Sequence, residues 1–306
     1  MKVLVTSFGA DYQAKIFYNY CSRIEGYTWT YHPVQTIAGD FNILREADIL
    51  WVWGFYGDAF NLFHVAKAVN PEIKTILTWV SSDIINFAVR IRETPVCRDC
   101  MLRNIDIHST TSDNLMQELI TLGLQPYYIP AIPEKRQTPK PLPETLTYAT
   151  YIPPNAKTYY GLGLILDIAS KYPDILINIF SFKDWNEEEK KAIEKDYPNI
   201  KILGSLNQKQ RSKLIKDCRG YFSFMKHGGI DELTIEFLQA GRYVIINRNA
   251  PYCYVVKTVK DIEDAVQEIN KKIHPDTEAS QYYRRMYSPE MQRKYASKIL
   301  ERVKSK

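Results

Sequence analysis

The sequence predicts an α/β protein of two domains, each built on a parallel sheet. Three observations carry this reading. Short apolar runs alternate with helical patterns along most of the chain, a rhythm that reads as βαβ units and hence parallel strands. The rhythm runs through both halves. Between them, residues 133–145 hold four prolines, several charges and almost no apolar side chains, the composition of a linker. The expected division is a first domain over 1–132, the linker over 133–145 and a second domain over 146–288.

In the first half, Val3-Leu4-Val5 opens as a strand, Gly9 follows, and Ile16, Phe17 and Tyr20 mark a helix. Ile49–Trp53 is a clear second strand, stopped by Gly54. A helix near Phe60 to Val69 ends at Asn70-Pro71. Thr75–Val80 and Ile105–His108 read as strands. Ser112 opens a helix with Asp113 in its first turn, and Gly123 is its expected C-cap. Tyr127–Pro130 is the last short strand. In the second half, Leu146–Tyr151, Leu176–Phe180, Ile200–Leu203, Gly220–Phe224 and Tyr243–Ile246 read as strands. Helices are expected near Tyr159–Lys171, Asn186–Lys195, Gln208–Asp217, Leu233–Gly241 and Val259–Lys272, and a long basic helix closes the chain from Pro289. The architecture repeats; the sequence does not.

The net charge of +5 is a mild basic excess. A nucleic-acid binder shows a denser basic stripe, so none is expected as a partner. The charge suits an anionic small molecule or an anionic membrane surface. Five scattered cysteines argue against a disulfide framework. Cys97-x-x-Cys100 is half a zinc site and reads as two ordinary thiols. Met1–Thr6 reads as a strand and not as a signal peptide. No run of about 18 apolar residues is present to span a membrane. The expected setting is the cytoplasm.

The most informative stretch runs from His227-Gly228-Gly229 through Asp231, Glu232, Thr234 and Glu236 to Gly241 and Val244-Ile245. It reads as a strand, a glycine turn, a short helix, a glycine stop and another strand. The two glycines let a ligand approach the backbone closely. The helix start beyond them offers N–H groups and a positive dipole to a diphosphate. One turn inside that helix, Glu236 could accept hydrogen bonds from vicinal ribose hydroxyls, or be a plain surface carboxylate.

This stretch resembles the donor-nucleotide motif of GT-B fold glycosyltransferases, closest to the retaining family with two glutamates eight residues apart. Glu236, Gly241 and Val244-Ile245 match the second half of that pattern. Gly228 stands where the first glutamate would be, and Arg242-Tyr243 replaces a polar-proline pair. The His227-Gly228-Gly229 turn with Thr234 also resembles a motif of inverting UDP-sugar enzymes. Ile200–Gly204 resembles the strand before the motif, and Tyr151–Lys157 the loop opening the second domain. There the family sets an arginine and a lysine against the diphosphate; Lys157 fits the lysine and Tyr151 stands at the arginine. In the first domain, Trp79–Asp83 and Thr110–Pro130 resemble further segments of related enzymes.

The resemblance implies two Rossmann-like domains facing a central cleft, with a terminal helix over about 289–306 packing back on the first. It implies transfer of a sugar from a nucleotide donor, such as a UDP- or GDP-sugar, to a glycan, lipid-linked or protein acceptor. It implies no further cofactor and no metal. The implied donor site holds Glu236 on the ribose, with His227, Gly228, Gly229, Thr234 and Lys157 toward the diphosphate. Asp231 or Glu232 could replace the missing glutamate, or serve only the helix dipole. For an inverting route, Asp83, His108 and Asp11 are candidate bases, Asp83 equally a helix cap and His108 equally structural. Trp53 and Tyr56, flanked by glycines, could stack on an acceptor sugar or pack in the core. Arg90, Arg92, Arg98 and Arg103 could meet a phosphorylated acceptor or form a solvated face. The basic terminal helix has a membrane surface as its alternative location. A non-catalytic nucleotide-sugar or glycan-binding protein is the rival reading, and a two-domain ligand binder of periplasmic type a second.

Overall fold

The computed structural model describes residues 1–55, 59–80, 83–93 and 98–305. The chain forms two compact units, Met1–Glu134 with Met286–Lys306, and Lys135–Arg285.

Unit 1 runs β1 (Lys2–Ser7), α1 (Asp11–Cys21), β2 (Thr28–Tyr31), α2 (Val34–Gly39), α3 (Asn42–Arg45), β3 (Ile49–Trp53), α4 (Ala59–Val69), β4 (Lys74–Trp79), α5 (Asp83–Glu93), α6 (Arg98–Leu102), β5 (Ile107–Thr110), α7 (Asp113–Thr121) and β6 (Pro126–Tyr128). Its six strands are all parallel, in the order β2-β1-β3-β4-β5-β6. The unbroken apolar run of β3 is buried at every residue, as expected for a strand with helices on both faces of its sheet. Phe17 of α1 packs on Trp51 and Trp53 with ring centroids 4.6 and 5.1 Å away.

The chain's last helix belongs to the same unit. Its apolar side, Ala296, Ile299, Leu300 and Val303, is buried in the cluster that holds Phe17, Trp51 and Trp53. That side is therefore covered by protein and is not offered to a bilayer. Among the described residues no helix is long and apolar enough to cross a membrane.

Unit 2 runs β7 (Thr147–Tyr151), α8 (Leu162–Lys171), β8 (Leu176–Ser181), α9 (Glu187–Asp196), β9 (Ile200–Ser205), α10 (Gln208–Asp217), β10 (Gly220–Ser223), α11 (Glu232–Gln239), β11 (Tyr243–Ile246), β12 (Tyr254–Val255), α12 (Val259–Asn270) and α13 (Thr277–Met286, its last residue in unit 1); α14 (Pro289–Lys304) is the terminal helix just described. The sheet order is β12-β11-β10-β7-β8-β9, again all parallel. Chain order runs one way from β7 to β9 and the other way from β10 to β12, so the direction reverses between β7 and β10.

The proline-rich stretch is tied down by two arginines. Arg242 is fully buried and donates to the carbonyls of Lys140, Pro141, Ile215 and Lys216. The last two lie at the C-terminal end of α10, whose partial negative charge suits a cation. Arg219 donates to Pro143, Ile269, Asn270 and Lys272 in the same manner. Arg242, which departs from the polar-proline pair of the resembled motif, thus serves the fold by fixing residues 140–141 to the end of α10.

Candidate functional site

In an open parallel sheet, ligands bind outside the carboxyl ends of the strands where chain order reverses. In unit 2 that place is the end of β7 and β10. An open pocket of about 560 Å³ lies there. Lys157 and Tyr159 line it from the loop after β7, Phe224 and Lys226 from the loop after β10, and Asn247 from the end of β11. The start of α8 supplies Gly161, Leu162, Gly163 and Leu164.

The local chain conformation explains why this end is open. Gly161 is the N-cap of α8, at φ 73°, with no side chain capping the helix. A Cβ at Gly161 would stand 2.8 Å from Phe224 Cβ, so only glycine brings the two loops this close. The Leu162 N–H donates to the Lys157 carbonyl at 3.0 Å; no side chain caps the helix start, which brings the positive end of its dipole to the pocket.

Tyr159 joins the two loops. Its carbonyl accepts from the Lys226 N–H at 3.0 Å, and its hydroxyl donates to the His227 carbonyl at 2.6 Å. Gly228 follows at φ 116°, open space beside it except for the tip of Met225. Arg248 holds the far side of this loop. Its Nε donates to Gly229 O at 2.8 Å, Nη1 to Ser223 O at 3.0 Å, and Nη2 to Ser223 Oγ and Asp231 Oδ2 at 2.7 and 3.1 Å.

The start of α11 differs from the sequence expectation. Asp231 is its N-cap and accepts from the Thr234 N–H at 2.7 Å. Thr234 is buried, and its hydroxyl bonds Asp231 and Ser223. A carboxylate therefore already stands at this helix N-terminus, where a phosphate was expected. The cationic features that line the pocket are Lys157 and the α8 start, from the loop after β7, and Lys226, from the loop after β10.

Lys157 forms an ion pair with Glu189 of α9 and lies 5.6 Å from the Trp185 ring centroid. Glu236 is 1% exposed, and both of its oxygens accept from Arg211, Oε2 from Nε at 3.1 Å and Oε1 from Nη2 at 3.2 Å. Tyr151, at the position of the expected arginine, packs among Tyr160, Phe180 and Phe182. Burial, with the Asp231 charge adding, pushes its hydroxyl up to about 12.

The candidates in unit 1 are scattered. Asp83 is buried, and its Oδ2 accepts from the N–H of Phe55 at 2.8 Å and of Val80 at 3.0 Å, so it ties the ends of β3 and β4. Burial raises its pKa from an ordinary 3.8 to about 6, against the pull of those two bonds. His108 Nδ1 accepts from the Trp79 indole at 3.1 Å. Trp53 is wholly buried; the acceptor-stacking reading fails for it, because a sugar needs an accessible ring face. Tyr56 and Cys97 lie outside the described residues, as do the side chains of Arg90, Arg92 and Arg98. Asp11, the first residue of α1, accepts from Ser7 Oγ and from Tyr31 Oη.

The structure therefore brings Lys157 to a pocket with three residues that the sequence does not single out: Tyr159, Lys226 and Asn247. Glu236 and Thr234 are buried in α11 and do not line that pocket. Sequence signals for two partners exist. Asp231 stands three residues before Thr234 at a helix start, the spacing of an N-cap. Lys226 immediately precedes the glycine turn. Arg211 and Arg248 carry no such local signal.

Comparison with solved structures places the whole architecture. Sucrose-phosphate synthase from Thermosynechococcus elongatus superposes with a TM-score of 0.74 at 10% identity, covering 99% of this chain and 98% of that one. The fold is GT-B. HepE of Anabaena, solved with UDP and glucose, gives a TM-score of 0.66 at 10% identity, covering 98% and 99%. TarM gives 0.64 at 14% identity; this chain covers 54% of its length, and 83% of this chain is matched. At these identities the likeness is one of fold. No protein-family model matches the sequence, and no curated protein matches it.

Proposed function

We propose that this chain is a glycosyltransferase that takes a sugar from a nucleotide donor bound by unit 2. One observation carries the reading. The pocket at the strand-order reversal joins two lysines to an uncapped helix N-terminus, the chemistry that receives a diphosphate. Lys157 and Lys226 neutralise the charge that develops on the leaving nucleoside diphosphate as the glycosidic bond breaks. The dipole of α8, whose start lines the pocket, adds a fixed positive potential that needs no reorganisation. Lys157 must exchange its Glu189 partner for the donor.

The fold relatives support the donor class. HepE was solved with UDP-glucose, and the pneumococcal O-GlcNAc transferase GtfA with UDP and GlcNAc. A TarM variant was solved with UDP and alpha-GlcNAc-glycerol, and a glycan acceptor is proposed here on the same ground. Glu236, closed onto Arg211, acts by holding that arginine and not by touching the ribose.

The test is turnover. UDP-, GDP- and ADP-sugars are incubated with the protein and candidate glycans, and released nucleotide is measured. Release that depends on one donor and falls in Lys157→Ala supports transfer. The buried Glu236 and the tyrosine at 151 favour a second reading, a nucleotide-sugar binding protein without turnover. Tight donor binding with no release, whatever acceptor is offered, would establish that reading instead.

A further inference from the structure

The end of the unit 2 sheet carries a row of aromatic rings that leads away from the pocket. Tyr159, in the pocket wall, contacts Tyr160 with ring centroids 5.1 Å apart. Tyr160 contacts Tyr151 at 5.3 Å, and Tyr151 contacts Phe182 at 5.1 Å. The row thus passes from the loop after β7 to the first residue beyond β8. Its first three members are partly covered, but Phe182 is 54% exposed.

Phe182 is exposed and also held. The Arg211 guanidinium lies over its ring, 5.8 Å from the centroid. That guanidinium is fixed in turn by its two bonds to the buried Glu236. Tyr151 packs against the ring at an interplanar angle of 49°. Arg211 lies over the ring, yet the residue is still more than half exposed. A flat apolar ring presented to solvent by a buried ion pair is a preorganised stacking surface: little side-chain freedom is left to lose on binding.

We propose that Phe182 is the stacking platform for the nucleobase of the donor. The base lies on its exposed ring, and the diphosphate reaches along the aromatic row to Lys157 and Lys226. The inference rests on the donor-site reading above. It gives Arg211 and Glu236 a positioning role: they hold the platform in place. It also accounts for Tyr151, whose ring steadies Phe182 where an arginine would have offered a charge. Stacking of this kind is tolerant of base identity, because every base has a π face.

The experiment compares calorimetric binding of UDP, GDP, ADP and inorganic pyrophosphate to wild type, Phe182→Ala, Phe182→Leu and Phe182→Trp. Phe182→Ala and Phe182→Leu should weaken the nucleotide that wild type binds by roughly ten-fold or more. Phe182→Trp should retain it, and pyrophosphate affinity should stay within about two-fold of wild type in all variants. Phe182 is exposed, so the variants should keep the wild-type melting temperature, which is recorded alongside. Nucleotide binding by wild type that Phe182→Ala equals would overturn this inference alone. So would a parallel loss of pyrophosphate, because the change would then not be at the base. No nucleotide bound by wild type would overturn the donor-site reading, and this one with it.

Discussion

Replacing Glu236 by alanine takes away both carboxylate oxygens to which Arg211 donates, at 3.1 and 3.2 Å. The pair is well covered, with side-chain exposures of 10% for Arg211 and 1% for Glu236. Removing one partner of such a pair leaves an uncompensated charge and costs about 3–5 kcal/mol. For a domain of roughly 150 residues each kcal/mol moves Tm by about 2–4 °C, so the expected loss is on the order of 6–20 °C. Differential scanning calorimetry measures it directly. The paired change Arg211→Met with Glu236→Leu removes both charges and keeps the volume, and should recover most of the loss. That double variant leaves Phe182 without the arginine over its ring, so nucleotide binding should weaken no further than in Phe182→Ala, because neither carboxylate oxygen is offered to a ligand. A Glu236→Ala protein that melts within about 2 °C of wild type while losing nucleotide would refute the reasoning. Glu236 would then be a ligand group and not a buried brace.

Other outcomes follow from the same geometry. Asp83 keeps its proton to about pH 6 in the folded chain but releases it near 3.8 when unfolded. The folded state therefore binds more protons between those values, and stability falls as pH rises through them, by up to roughly 3 kcal/mol. Asp83→Asn can accept the same two N–H bonds without charge, so urea midpoints measured from pH 4 to 7 should lose this slope. Arg248→Ala frees the loop at Gly229 and leaves Asp231 without its cation; a loss of roughly 2–4 kcal/mol is expected, with donor KM raised more than kcat is lowered. Gly161→Ala places a Cβ against Phe224 at φ 73° and should weaken nucleotide binding while costing about 1–3 kcal/mol of stability. Retained affinity in that variant would argue against a site at the start of α8.

How much is legible in the sequence depends on how local the cause is. The unbroken apolar runs of β3 and β4 can be read because burial on both faces demands them. β2 escapes such a reading: Thr28–Tyr31 is a four-residue edge strand with one buried side chain, too short to show a period. α13 escapes it too, because Gln281, Arg284 and Arg285 dilute the buried stripe of Ala279, Ser280 and Tyr283. The fourth strand is expected two residues early, since Ile105 and Asp106 look apolar-alternating but serve the turn before β5. At the site, the glycine turn and Lys157 are visible as punctuation and charge near a strand end. The partners that decide their roles lie far along the chain. Glu236 reads as a ribose ligand until Arg211, twenty-five residues earlier, is found to occupy it. Arg248 carries no signal in the sequence at all; only the fold brings it to Ser223, Gly229 and Asp231. Trp53 reads equally as a stacking surface or a core residue until the sheet around it closes.

The central claim is that unit 2 binds a nucleoside diphosphate through the pocket between β7 and β10. Calorimetric titration of UDP, GDP and ADP into the wild type and into the Lys157→Ala, Lys226→Ala double variant tests it most directly. The account predicts that at least one of the three nucleotides binds the wild type and that the double variant weakens it by about a hundred-fold, the loss of two charged contacts. A folded wild-type protein that binds none of the three, or a double variant that binds as tightly as wild type, would contradict it.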